Sequence, residues 1–230
     1  GKALEVESMC PLYVFDFDLR INSLLAVVDH ERIVTSLTYD QFRDGDRPGS
    51  AFSGAEAKLR ELSAAIAVGT GPKTVALDSL TFMEKSIGSR VLTMDGKPTD
   101  SPLQLQHYKS IISQVEGFVS RLCALKCNVV VTAHEDIDKD ELTGAVSRGI
   151  RVVGKALPNV IPGYFNEVWY AEVVAGTAAN PLPTYRIRTA PTNQIIARTC
   201  YTGRIEPLET QDIWRKLQAI DTASALAIAP

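Results

Sequence analysis

Lys73-Thr-Val-Ala-Leu-Asp78-Ser79-Leu-Thr-Phe-Met83 is the stretch from which the fold is read. Thr74 to Leu77 are apolar or β-branched, and the run then stops on an aspartate followed by a serine. A short, unbroken apolar run is the pattern of a buried parallel strand. A carboxylate at the C-terminal end of such a strand stands where open α/β sheets gather ligand chemistry. Two readings of Asp78 and Ser79 are open at this point: a polar cap opening the next helix, or a metal-side acid.

Two further runs behave in the same way. Upstream, Leu12-Tyr-Val-Phe15 ends in Asp16-Phe17-Asp18; the plainer reading is a satisfied turn after an edge strand, the functional one a catalytic or metal-linked acid. Downstream, Asn128-Val-Val-Val131 ends in Thr132-Ala133-His134-Glu135. Parallel strands joined by helices bring such ends to one edge of the sheet. The convergence of Asp16, Asp18, Asp78, Ser79, Thr132 and His134 is more specific than any one of the three endings.

Helical spacing fills the intervals. Leu59, Leu62, Ala65 and Ile66 predict a helix over Ala55–Val68, and Tyr108, Ile111, Ile112, Val115, Val119, Leu122 and Leu125 a long one over Leu103–Leu125. A short helix is expected over Leu19–Val28, a strand over Arg32–Tyr39, and a loop over Gln41–Ser53. Another short helix starts from Ser79, with a polar connection over Gly88–Ser101. Residues 136–149 are acidic and then turn basic at Arg148, with Arg151 and Lys155 following. This predicts a flexible loop with a local basic patch suited to a phosphate backbone, or else a solvated hairpin. Strands over Glu167–Val174 and Thr184–Thr189 have short connections and an antiparallel character. A last helix, Glu209–Ile220, leads to an Ala-rich tail at 221–230. The expected fold is α/β, a mainly parallel sheet flanked by helices with an antiparallel C-terminal extension, and residues 1–220 are expected as one core.

Composition narrows the classes. The 230 residues carry a formal net charge of −3, so nucleic-acid contact has to be local rather than global. There are 4 cysteines, and Cys123 and Cys127 lack a second pair at metal spacing. Reduced thiols and a cytoplasmic setting are expected. With no run of 18 apolar residues and no secretory signal, no membrane association is expected.

The order Asp-Phe-Asp, Lys-Thr-Val-Ala-Leu-Asp-Ser-Leu-Thr, long helix, Asn-Val-Val-Val-Thr-Ala-His-Glu, then Lys155-Ala-Leu-Pro and Pro162-Gly-Tyr-Phe-Asn-Glu-Val168 resembles phage-encoded RecA-like ATPases. More narrowly it resembles their core-only group linked to single-strand annealing and recombination. The likeness runs from about Pro11 to Arg188. It implies a RecA-like core that binds ATP and Mg²⁺. By that resemblance Asp78 is the Walker B acid beside the metal, with Ser79 next to it. Asp18 polarises the attacking water, with Asp16 two residues before it in the nucleotide site, and His134 senses the γ-phosphate. The segment 138–155 faces DNA, which assigns Arg148, Arg151 and Lys155 to a single strand. Arg186 and Arg188 lie near where related proteins send a cation into a neighbouring subunit's nucleotide. The resemblance further implies a ring or filament of like subunits, a phage or host single-strand binding protein as a further partner, and the cytoplasm of a phage-infected bacterium.

One departure stands against the agreements. A P-loop reads Gly-x-x-x-x-Gly-Lys-Ser/Thr, because its backbone N–H groups cradle phosphates and its hydroxyl reaches Mg²⁺. This chain has Gly1-Lys2 followed by Ala3, just before the first predicted strand. Gly1 and Lys2 are read as the remnant of a Walker A motif whose greater part lies upstream; the other reading is that nucleotide chemistry is lost. The leading function is ATP-driven recombination on single-stranded DNA. The alternatives are a motor or loader with the same core, and an assembly module that does not hydrolyse nucleotide.

Overall fold

The structure is a computed structural model that describes residues 9–25, 36–176, 181–209 and 213–228. The chain divides into two compact units. One comprises Met9–Asp136 and Ile150–Tyr164; the other takes Ile137–Gly149 and the chain from Phe165 onward. The sequence reading places residues 1–220 in a single core, so the excursion at 137–149 and the separate later unit are new.

The first unit is built on a four-stranded parallel sheet in the order β2-β1-β3-β4. Its strands are β1 (Leu12–Asp16), β2 (Leu37–Gln41), β3 (Thr74–Asp78) and β4 (Asn128–Val131). Residues 26–35, which hold part of the predicted short helix and much of the predicted Arg32–Tyr39 strand, lie outside the described residues. β1 is buried along its whole length, as its unbroken apolar run requires. Leu12 pairs with Thr74 and Asp16 with Asp78, so the two runs that end on acids end side by side.

Among the described residues the helices joined to this sheet are α1 (Ile21–Leu25), α2 (Ser50–Ala67), α3 (Leu80–Met94) and α4 (Leu105–Cys123). The core lies where Phe15 of β1 meets Phe118 of α4 edge-on at 6.0 Å, and Phe118 meets Phe52 of α2 at 5.7 Å. Leu77, Met83, Ile87, Ile111 and Leu122 complete it at 0% exposure. α3 is 15 residues long rather than short, and it takes up the first half of the expected polar connection. Ile87, Val91 and Leu92 keep its apolar face buried. A Cβ added at Gly88 would meet Ile111 Cδ1 of α4 at 3.8 Å, an ordinary van der Waals contact, so no close approach of the helices requires glycine there.

Beyond β4, β5 (Glu135–Lys139) and β6 (Val146–Ile150) form a two-stranded ribbon, so much of the segment expected as a flexible loop is paired strand. A short helix α5 (Leu157–Val160) and a 3₁₀ turn (Ile161–Tyr164) follow. Antiparallel strands appear towards the C-terminus as expected, in a sheet of their own: β7 (Tyr170–Val174), β8 (Thr184–Arg188) and β9 (Leu208–Glu209). The last helix, α6 (Ile213–Ile228), runs through most of the segment expected to be a loose tail. In the second unit Ile205, Ile213 and Leu217 form a small core against Trp169 and Ile187. No described helix is long and apolar enough to cross a membrane.

Candidate nucleotide site

Asp16, at the end of β1, is fully buried. Its carboxylate accepts the Arg20 and Ile21 N–H groups at 3.2 and 3.1 Å and Gln41 Nε2 at 2.9 Å. These donors open α1 and tie β1 to the end of β2. A buried carboxylate so surrounded by donors is a positioning group. The chain then turns sharply, because the Phe17 and Asp18 N–H groups both donate to the Asp78 carbonyl at 2.6 and 3.1 Å. That clamp sets Asp18 beside the end of β3.

Asp18 is the hub of the site. Its Oδ1 accepts the Ser79 hydroxyl at 2.6 Å and its Oδ2 meets His134 Nε2 at 2.8 Å. An ionised carboxylate only accepts, so Nε2 carries the imidazole proton in this contact. Ser79 stands at the N-cap of α3 but makes no side-chain cap hydrogen bond. Its hydroxyl goes to Asp18 instead, which favours the site reading of the Asp78-Ser79 pair over the capping one. The Asp78–Ser79 peptide is cis.

Asp78 Oδ1 accepts the Thr132 hydroxyl at 2.5 Å, linking the ends of β3 and β4. Burial first, and then the charges of Asp18 and Asp16, push the Asp78 carboxyl above its ordinary range against the pull of the Thr132 bond. Crowded, partly desolvated carboxylates with hydroxyls alongside are hard oxygen donors, the chemistry that suits Mg²⁺. Among the described residues no three His, Cys, Asp or Glu side chains gather into a metal cage. The Asp78 carboxylate would hold Mg²⁺, which would supply counter-charge to a nucleotide's phosphates there. The residues present fit that cation.

The other predicted residues are placed as follows. Gly1 and Lys2 lie outside the described residues. Arg151 is exposed, with its guanidinium 3.7 Å from Asp136; Lys155 is exposed in the turn before α5. Arg148 belongs to the second unit, where Nη1 donates to the Tyr170 hydroxyl at 3.3 Å. Arg186 and Arg188 sit two apart on β8. Arg188 is held by Glu172 at 2.5 Å, whereas Arg186 Nε is buried without a hydrogen-bond partner in the described structure. The sequence names Thr132 among the converging strand ends without giving it a role, and it passes over Gln41. The signal for both was available, since each is a polar residue at the end of a parallel strand. An open cavity of about 340 Å³ lies at the opposite end of β3 and β4, lined by Gly71, Lys73, Lys126 and Cys127 among others. No carboxylate lines it, so it lacks the chemistry gathered at the other end.

A family model described as an AAA domain matches residues 1–201. The chain belongs to the AAA domain family. These are P-loop ATPases, and nucleotide binding with ATP and Mg²⁺ is the chemistry the family is built on. The acids of this AAA domain thus stand at the sheet edge that α/β nucleotide-binding folds use. No curated protein matches the chain.

Proposed function

We propose that this AAA domain hydrolyses ATP to drive a recombination protein acting on single-stranded DNA, assembled as a ring or filament of like subunits. The observation that carries the enzymatic part is the meeting of Asp18, Ser79, Asp78, Thr132 and His134 at the ends of three adjacent parallel strands. ATP with Mg²⁺ supplies the transferable phosphoryl group and the counter-charge for it. Asp78 would hold the metal, with Thr132 orienting its carboxylate. Asp18 orients the attacking water and accepts its proton through a carboxylate oxygen freed from Ser79 or His134. His134 Nε2–H is the donor for which a phosphate oxygen competes with Asp18, so the imidazole reports whether that phosphate is present.

The choice of single-stranded DNA as partner rests on the sequence resemblance and on two exposed cations, Arg151 and Lys155; Arg148 is half-buried in the other unit. Arg186 and Arg188 of β8 are the candidates for a cation offered to a neighbouring subunit, as the resemblance implies. A single-strand binding protein of phage or host is the further partner. The test is steady-state ATP turnover of the full-length protein with Mg²⁺, alone, with single-stranded DNA and with duplex. Stimulation by the single strand is expected. Stimulation by duplex alone favours a motor or loader, and absence of both turnover and nucleotide binding favours an assembly module.

A further inference from the structure

Thr81, in the first turn of α3, is 3% exposed and belongs to none of the roles assigned above. Its hydroxyl donates to the Arg151 carbonyl at 2.9 Å and accepts the His134 N–H at 3.0 Å. The Arg151 N–H in turn donates to the His134 carbonyl at 2.7 Å. His134 and Arg151 are therefore joined twice, directly and through one buried hydroxyl. Further along the same helix the Glu84 carboxylate accepts the Val153 N–H. Next to Thr81 in sequence, the Phe82 ring lies 5.4 Å from the His134 ring, with Lys85 Nζ 4.2 Å from the Phe82 centroid. The start of α3 thus grips both the γ-phosphate sensor and the segment carrying Arg151 and Lys155. In sequence, these two clamped points flank the whole 137–149 excursion.

A hydroxyl that both donates and accepts while shielded from water is a stiff joint, because breaking either bond leaves the buried Thr81 hydroxyl without one of its partners. We infer that Thr81 is a positioning residue that transmits the state of His134 to the Arg151–Lys155 segment, with Glu84 holding the far end of that segment. This rests on the ATPase and single-strand reading above. A shift of His134 away from Asp18 moves its N–H and carbonyl, and Thr81 and Arg151 follow because their bonds close a ring with them.

The test is fluorescence anisotropy of a labelled oligo-dT with the full-length protein, loaded with ADP or with a non-hydrolysable ATP analogue. The wild type is expected to bind the oligonucleotide about tenfold more tightly with the analogue, within the usual range of coupling between two sites. Thr81→Val keeps the branched shape and loses both hydrogen bonds; the ratio should fall to within about twofold of unity. Analogue affinity should stay within about threefold of wild type, and Thr81→Ser should restore the ratio. An unchanged ratio in Thr81→Val, or a Thr81→Ser variant as uncoupled as Thr81→Val, overturns the inference. If Thr81→Val does not fold, Glu84→Leu stands in: a lowered ratio supports the joint and a wild-type ratio overturns it. A wild-type protein that binds neither nucleotide nor oligonucleotide sinks the underlying functional reading instead.

Discussion

At the scale of single residues, two aspartates separated by one phenylalanine have different work. Asp16 has no exposed surface and three donors; Asp18 has both oxygens in the polar cluster. Asp16→Ala should cost about 2–4 kcal/mol of stability, since it strands buried donors. Asp18→Ala should cost well under that in a denaturation curve, yet lower turnover by about 100-fold or more. Chemical denaturation alongside ATPase assays checks both. The separate roles were not legible in Asp16-Phe17-Asp18, because they depend on the Asp78 carbonyl folding the turn back. Asp18, Asp78 and His134 were legible as a group, since each interrupts an apolar run with a polar side chain. Thr81 was not, because its partner lies 70 residues away in sequence.

Among the elements, α2, α3 and α4 are joined by a core and by a charged strap. Phe118 touches Phe15 and Phe52 from the centre of that core. Phe118→Ala should lower the unfolding free energy by about 3–5 kcal/mol, read from urea denaturation. On the outside, Glu56 meets Arg90 at 2.9 Å and Arg121 at 2.8 Å. Burial alone would raise its carboxyl, but Arg121 and Arg90 outweigh that and hold it below the ordinary 4.5. A depressed folded-state pKa gives stabilisation that is present above about pH 4.5 and lost as pH falls through the folded value. Glu56→Gln should therefore lower the melting temperature near neutral pH, by an amount worth about 1 kcal/mol, with the difference closing in acid. The length of α3 escaped the sequence because Gly88 and the polar residues after it read as a break. What holds the helix together there is the burial of Ile87, Val91 and Leu92 on either side of that break. Strands β1, β3 and β4 were plain because an unbroken apolar run has few other uses.

On the scale of the whole molecule, the net charge of −3 means that affinity for nucleic acid has to come from a few cations. Under the proposed function, single-strand affinity should fall steeply with salt. Arg151→Ala should flatten the slope of log K against log salt by about 0.7, without altering the core. The separation into two compact units was not legible, because the 137–149 segment leaves one unit and its continuation from 150 returns to it. No local pattern marks such an excursion. The Asp78 carboxylate remains the point on which the account turns, as the acid whose place at the end of β3 depends on both neighbouring strands. The most direct measurement is Mg²⁺-dependent ATP turnover of full-length wild-type and Asp78→Ala protein, with the fold of each checked by circular dichroism. Turnover in the wild type and a loss of at least about 100-fold in the folded variant is the predicted result. A folded Asp78→Ala protein that turns over ATP at the wild-type rate would contradict it.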